Sequence, residues 1–181
     1  MHPSGDAADA PFHVAATDPF ATPAALRDPV RRLRGRLPLP VTVWTAGPAD
    51  APAALTVSSV LVAQGEPSVV LGLVDADSDL WDALESSEVF VVHVLERQHA
   101  ALADVFAGVR PAPGGQFSAL AVTRSPYGPV LRDIGTRVGC RLVAARPAGW
   151  ALLVEGRVEA LTVVADPEPL VWHRGRYHGL A

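Results

Sequence analysis

Residues Leu55–Leu84 read LTVSSVLVAQGEPSVVLGLVDADSDLWDAL. Two runs of apolar and β-branched residues in this stretch are typical of buried strands, and Gly65–Pro67 separates them, so we predict a pair of strands resembling a hairpin. After the second run the apolar spacing changes to that of a helix, whose N-cap is Asp77, Ser78 or Asp79. A strand therefore leads into a helix N-terminus, where free backbone N–H groups can bind an anion.

Hydroxyl residues lie within the first of these two runs, whose otherwise apolar pattern predicts one continuous strand. Because successive side chains alternate along a strand, Thr56 and Ser58 are expected on one face and Ser59 on the other. Two interpretations stay open at this point. Strand hydroxyls often bond only to neighbouring backbone, and in that case the stretch is a barrel corner. Otherwise, the same hydroxyls and the helix start that follows form a cofactor site.

The composition excludes several functional classes. The chain has 181 residues, 49% of them hydrophobic, with a formal net charge of −4, so we predict a sizeable core and no nucleic-acid partner. All 15 basic residues are arginines, which excludes a Schiff-base or P-loop lysine. The single cysteine, Cys140, allows no disulfide within the chain, and no Cys/His cluster has the spacing of a zinc site. We therefore predict no metal centre.

The N-terminal region gives expectations about localisation and domain organisation. It lacks the basic-then-apolar order of a secretory signal, and no apolar stretch of about 18 residues or more is present, so we expect a cytoplasmic protein with no membrane association. Residues 1–21 are rich in Ala, Pro, Asp and Gly, which predicts a flexible N-terminal tail. Residues 22–181 are expected to form one domain.

The remaining sequence predicts a mainly β fold. Short apolar runs at 41–46 and 89–95 indicate strands, and the pattern over 137–161 predicts an antiparallel hairpin. Helical spacing occurs in three segments, near 24–36, 79–86 and 98–108. Because strands and helices do not alternate strictly enough for a doubly wound sheet, we predict a barrel of six or more strands with short peripheral helices.

Three residues in the apolar runs are interpreted as structural. Trp44 is expected in the core, because aromatic residues in strands are usually buried. His93 lies at the centre of a run that is apolar on both sides, which favours a neutral histidine bonded to backbone. Cys140 has no neighbouring base or second cysteine in sequence, which predicts a buried, inert thiol.

The C-terminal sequence WHRGRYHGL, residues 172–180, carries the second local signal. Its aromatic and cationic side chains fall within seven positions, and such groups suit contact with a planar anionic ligand. An edge strand with exposed polar residues is the other interpretation.

Several of these segments together resemble a known family. LTVSS, then SVVLGLVDADSDLWDAL, then VFVVHVLERQHAALADVFAG, and finally WHRGRYHGL are similar in order and spacing to the flavin reductase-like family of FMN-binding split barrels. The resemblance covers roughly residues 33–180. It implies a homodimeric split β-barrel that binds FMN or FAD and, in many members, reduces it with NAD(P)H for a partner flavin-dependent monooxygenase.

The resemblance also implies roles for individual residues. The segment that holds the flavin ring and ribityl chain corresponds to Thr56, Val57, Ser58 and Ser59. Ser78 corresponds to a phosphate-binding serine, and His173 and Arg174 correspond to residues near the nicotinamide or the flavin edge. Phe117 and Tyr127 belong to a region that often lies beside the flavin.

The sequence departs from the family at two places. Family members have a basic residue and a hydroxyl residue after the phosphate-binding serine, where this chain has Asp79 and Leu80, and Arg174 and Arg176 are candidates to compensate. Many members also have a histidine near Trp150 or Ala151, and this chain has none. The leading prediction is an NAD(P)H:flavin reductase. The alternative is a non-catalytic split barrel that carries flavin or binds another small ligand.

Overall fold

Strands dominate the computed structural model, which describes residues 28–165 and 168–180. In these ranges the strands are β1 (Leu39–Pro40), β2 (Thr42–Ala46), β3 (Ala53–Val57), β4 (Val60–Ala63), β5 (Val69–Asp75), β6 (Val89–Val94), β7 (Val122–Ser125), β8 (Gly128–Leu131), β9 (Arg137–Ala148), β10 (Ala151–Thr162), β11 (Leu170–His173) and β12 (Arg176–Gly179). The helices are α1 (Pro29–Arg34), α2 (Asp79–Ser87) and α3 (Ala100–Phe106), with a short 3-10 turn at Arg97–His99. The predicted mainly β fold is confirmed.

The main sheet has seven strands in the order β3-β2-β6-β9-β10-β5-β4, and all its ladders are antiparallel. The predicted hairpin over 137–161 is present as β9 and β10, and the pairing predicted around Gly65–Pro67 is present as β4 and β5. The sheet is open, because β3 and β4 form its two edges and no ladder joins them. This arrangement is consistent with a split barrel.

The two edges of the main sheet nevertheless lie close together. β3 ends at Val57 and β4 begins at Val60, so only Ser58 and Ser59 connect strands from opposite ends of the strand order. Three Cα–Cα steps span at most about 11 Å, so the sheet must curl until its edges nearly meet. We call this junction, Val57–Val60, the seam. The sequence pattern predicted an uninterrupted strand here, and that prediction was wrong.

Two hydrophobic clusters hold the curled sheet. One contains Trp44, which stacks on Phe90 with ring centroids 4.8 Å apart, together with Leu80 and Leu84 of α2. The other contains Phe106 of α3. Trp44 is fully buried, as predicted. Helices α2 and α3 thus pack their apolar faces into the barrel, which fixes the position of the α2 N-terminus.

Two smaller sheets complete the described structure. β1, β11 and β12 form a three-stranded sheet with β11 in the centre, and β7 pairs with β8. The C-terminal hairpin is therefore also an edge, as one interpretation of its sequence predicted. No helix among the described residues has both the length and the apolar character needed to cross a bilayer.

The predicted helices differ from the observed ones mainly at their ends. In the described part of the segment near 24–36, which begins at residue 28, the helix is α1; it has three arginines in its last turn and belongs to a unit that ends at Arg34. The segment near 98–108 contains the 3-10 turn and α3, and Gly108 follows with a φ of 71°. The predicted tail over 1–21 lies outside the described residues.

Candidate functional site

The seam is the first place where the structure offers polar groups to a ligand. Ser58 and Ser59 are half-buried, and within the described residues neither hydroxyl takes part in a hydrogen bond. The carbonyl of Ser59 accepts a hydrogen bond from Leu73 N–H of β5 at 3.1 Å. An unpaired strand edge also presents backbone N–H and C=O groups. The seam therefore combines two uncommitted hydroxyls with unpaired backbone.

Thr56 and Val57, the last two residues of β3, are committed to other parts of the fold. Thr56 Oγ1 donates to the carbonyl of Ala103 in α3 at 2.7 Å. Val57 is 2% exposed in the core, and its carbonyl accepts from Thr42 Oγ1 at 2.6 Å. Thr56 and Val57 can therefore offer a flavin only main-chain groups, on the edge of β3 that does not pair with β2.

The N-terminus of α2 follows directly after β5. Among the three candidate N-caps, Ser78 is the one used: its Oγ accepts from Trp81 N–H at 3.2 Å and donates to the carbonyl of Asp75 at 2.6 Å. Asp75 Oδ1 accepts from Asp77 N–H at 3.0 Å. The serine hydroxyl is therefore already used in capping its own helix.

The charge around this helix start is negative. The exposed side chains of Asp75, Asp77, Asp79 and Asp82 surround the first turn of α2. Within the described residues, none of these carboxylates forms an ion pair with an arginine. A phosphate placed here would meet carboxylates where a phosphate site needs a cation. The groups at the seam suit the polar edge of a flavin ring. The aspartates at the start of α2 do not suit the 5′-phosphate of that flavin.

The tip of the β9–β10 hairpin lies at the same end of the sheet. Ala148 pairs with Ala151, so Gly149 and Trp150 form a two-residue turn, and Gly149 has a φ of 65°. Ala151 also pairs with Asp75, the last residue of β5. Trp150 is 98% exposed beside the Asp75–Ser78 turn. The sequence analysis did not select Trp150. An aromatic residue in the turn of a predicted hairpin has no strand neighbours to cover it, and this position could have indicated an exposed ring.

His173 and Arg174 lie outside the main sheet, in the β11–β12 hairpin of the three-stranded sheet. In this hairpin Arg174 is exposed with a φ of 51° and its N–H donates to the carbonyl of Gly35 at 3.0 Å. The ring of His173 lies 6.0 Å from that of His178. In the described parts of the chain, no hydrogen bond or ion pair connects these residues to the seam or to Ser78. Their assignment to the flavin edge stays a prediction.

A cavity of about 710 Å³ lies near the opposite end of α2. Ser87, the last residue of this nine-residue helix, lines it, so its wall is about 13 Å along the helix from Ser78. Phe117 also lines it, together with Arg124, whereas Tyr127 lines a smaller cavity of about 150 Å³. None of the residues predicted to bind the cofactor lines the large cavity.

Two buried ionisable groups are inert, as predicted. His93 is fully buried, with Nδ1 3.1 Å from the Val43 carbonyl and Nε2 accepting from Leu131 N–H at 3.1 Å. These partners require a neutral ring protonated on Nδ1. Burial, with a smaller contribution from Arg137, lowers the pKa of His93 to about 4 although the hydrogen bond to Val43 raises it. Burial likewise raises the pKa of Cys140 to about 12. Neither group is available as an acid, base or nucleophile near neutral pH.

Comparison with known proteins agrees with this fold. The flavin reductase like domain family matches residues 34–181. An NADH-dependent FMN reductase, AsuE2 from Streptomyces nodosus subsp. asukaensis, is 35% identical over 83% of each chain. HsaB from Rhodococcus jostii (strain RHA1), the reductase subunit of a flavin-dependent monooxygenase, is 29% identical over 83% of this chain and 76% of its own.

A solved structure gives the same result. The NADH:FAD oxidoreductase SgcE6 from Streptomyces globisporus C-1027, in complex with NAD and FAD fragments, superimposes with a TM-score of 0.76 at 25% identity. The superposition covers 84% of this chain and 91% of SgcE6. With a family match over most of its length and the open sheet described above, the chain belongs to the flavin reductase-like family.

Proposed function

We propose that the protein is an NAD(P)H:flavin reductase that supplies reduced flavin to a partner flavin-dependent monooxygenase. The observation that carries this function is the seam, where uncommitted serine hydroxyls lie between two unpaired strand edges in a chain of this family. The names of AsuE2, HsaB and SgcE6 support a nicotinamide donor, a flavin and, for HsaB, a monooxygenase partner.

The protein's task in this reaction is orientation. A flavin held at the seam would supply the acceptor for a hydride from NAD(P)H, and that chemistry belongs to the cofactor. Ser58 and Ser59 donate hydrogen bonds to the polar edge of the ring, and the outer edge of β3 adds main-chain contacts from Thr56 and Val57. His173 and Arg174 contact the nicotinamide or the flavin edge. Hydride transfer requires no side chain of this set to move a proton. His93 and Cys140 are held in neutral, buried positions and take no part.

A flavin titration with an NADH assay tests this function. We expect FMN, FAD or riboflavin to bind the purified protein, and NADH or NADPH to be oxidised only when flavin is present. Ser58→Ala and Ser59→Ala are expected to weaken flavin binding about threefold to tenfold each, because each removes one hydrogen bond. Failure of the wild-type protein to bind any of the three flavins would contradict the proposal.

A flavin carrier is the second candidate, and the acidic start of α2 is the observation that favours it. A carrier would bind flavin without any flavin-dependent oxidation of NADH or NADPH. The same assay therefore separates the two functions, because only the reductase oxidises NADH or NADPH.

The single buried cysteine and a cytoplasmic nicotinamide pool favour a cytoplasmic location for either function.

We also propose that the protein is a homodimer. On β4, the adjacent residues Leu61 and Val62 are 70% and 66% exposed, and Val143 and Leu161 of the long hairpin are also exposed. Consecutive apolar residues exposed on an edge strand are typical of a surface covered by another chain. Light scattering is expected to give twice the mass of one chain.

Charge substitution tests the proposed dimer surface. Leu61→Glu is expected to shift the protein towards the monomer, because a carboxylate would be buried in an apolar interface. Val109→Glu, at an exposed position after α3, is the matched control and is expected to leave the dimer intact. A monomeric wild type, or equal behaviour of the two variants, would refute the assignment of this surface.

A further inference from the structure

We propose that Trp150 is a stacking platform for the planar, electron-poor ring bound at the seam, and this inference rests on the function proposed above. Trp150 is 98% exposed, whereas Trp44 is fully buried and Trp81 and Trp172 are half-buried. An indole that is exposed over both ring faces leaves a large apolar surface in water, which is unfavourable unless a ligand covers it.

Strand register places this indole at the same end of the sheet as the other flavin-binding groups. Ser59 is bonded to Leu73, and Leu73 pairs with Leu153 of β10, three residues from Trp150. On a flat sheet this path corresponds to roughly 14 Å between the Cα atoms of Ser59 and Trp150. A tricyclic flavin ring together with the indole side chain is long enough to span the distance between Ser59 and Trp150.

The hairpin holds the backbone of Trp150 in a fixed position. The two 12-residue strands β9 and β10 pair directly up to Ala148 and Ala151, so the Gly149–Trp150 turn has little freedom. The paired residues beside the tip are alanines, which leave the indole faces uncovered by their side chains. A rigid aromatic side chain loses little conformational entropy on binding, and this favours a platform for a flat ligand.

The ring that Trp150 covers is either the isoalloxazine of the flavin or the nicotinamide of the donor. The isoalloxazine and the oxidised nicotinamide of NAD(P)⁺ are planar and electron-poor, and both suit an electron-rich indole. Titrations with riboflavin alone, with NAD⁺ alone and with both ligands separate the two sources. Riboflavin is the better flavin probe because it lacks the phosphate that the acidic start of α2 disfavours.

The experiment compares wild type, Trp150→Phe, Trp150→Leu and Trp172→Phe. A stacked indole quenches isoalloxazine fluorescence by electron transfer, so bound riboflavin is expected to be dark in wild type and brighter in Trp150→Leu. The dissociation constant of the stacked ligand is expected to rise by about tenfold to a hundredfold in Trp150→Leu and by less in Trp150→Phe. Trp172→Phe, which alters a tryptophan in the three-stranded sheet, is expected to behave like wild type.

Each outcome has a defined consequence. If only NAD⁺ affinity falls in Trp150→Leu, and NAD⁺ shields Trp150 from acrylamide, the platform serves the nicotinamide. If both ligands bind wild type and Trp150→Leu equally, and the fluorescence of bound riboflavin is unchanged, the platform is refuted while the reductase function stands. If wild type binds neither flavin nor nicotinamide, the proposed function fails together with the platform.

Discussion

Between pH 7.5 and pH 4, wild-type protein is expected to lose about 3 kcal/mol more free energy of unfolding than the His93→Asn variant. In the folded protein the pKa of His93 is lowered from 6.5 to about 4, because burial of the ring and the nearby Arg137 outweigh the hydrogen bond to the Val43 carbonyl, which raises it. The unfolded chain takes up the proton near pH 6.5, and the folded chain does so only near pH 4. Stability is therefore complete above about pH 6.5 and falls as the pH decreases towards 4.

Urea denaturation at pH 7.5, 5.5 and 4 measures this effect. His93→Asn keeps a donor for Val43 and removes the titrating ring, so the carboxylates that titrate in both proteins cancel in the comparison. The variant is expected to be less stable than wild type at pH 7.5, because Leu131 N–H loses its acceptor in the core. If the free energy of unfolding decreases equally in the two proteins, His93 takes up its proton within the folded protein as readily as in the unfolded chain, contrary to the burial observed.

Local patterns in the sequence were sufficient for the elements and the core. β-branched runs and the helical spacing after Val74 correctly predicted the β9–β10 hairpin, the pairing of β4 with β5, and α2. Burial on one face of an element repeats along the sequence with the period of a strand or of a helix. His93 and Cys140 were correctly assigned as structural for a related reason. A polar side chain inside a run that is apolar on both sides has only backbone as a partner.

The seam and the hairpin tip were missed because their properties depend on contacts between distant parts of the chain. The pattern across Ser58 and Ser59 is locally that of one strand, and only the curling of the sheet decides that β3 and β4 lie on separate edges. The exposure of Trp150 depends likewise on the pairing of Ala151 with Asp75, which are far apart in sequence. The family resemblance grouped His173 and Arg174 with the flavin-binding residues, and because their hairpin belongs to the three-stranded sheet, their place beside the flavin stays a prediction.

Asp79→Arg is expected to tighten FMN binding by about tenfold to thirtyfold and to leave riboflavin binding unchanged. In water, one pair of unit charges about 5 Å apart interacts by about 0.8 kcal/mol. The substitution changes the protein by two charge units beside a phosphate that carries nearly two, which amounts to about 3 kcal/mol. Screening at physiological ionic strength reduces this to about 1.5–2 kcal/mol. The exposed position at the first turn of α2 accepts an arginine without disturbing the core.

Glu85→Arg is the matched control, because it makes the same change in charge on an exposed position further along α2. Fluorescence titrations of FMN and riboflavin, at low and at high salt, compare the two variants with wild type. A phosphate beside α2 predicts a gain for FMN alone, specific to Asp79→Arg and reduced by salt. If FMN and riboflavin respond equally, or if Glu85→Arg has the same effect as Asp79→Arg, the phosphate does not approach this helix and the carboxylates around Ser78 do not select against it.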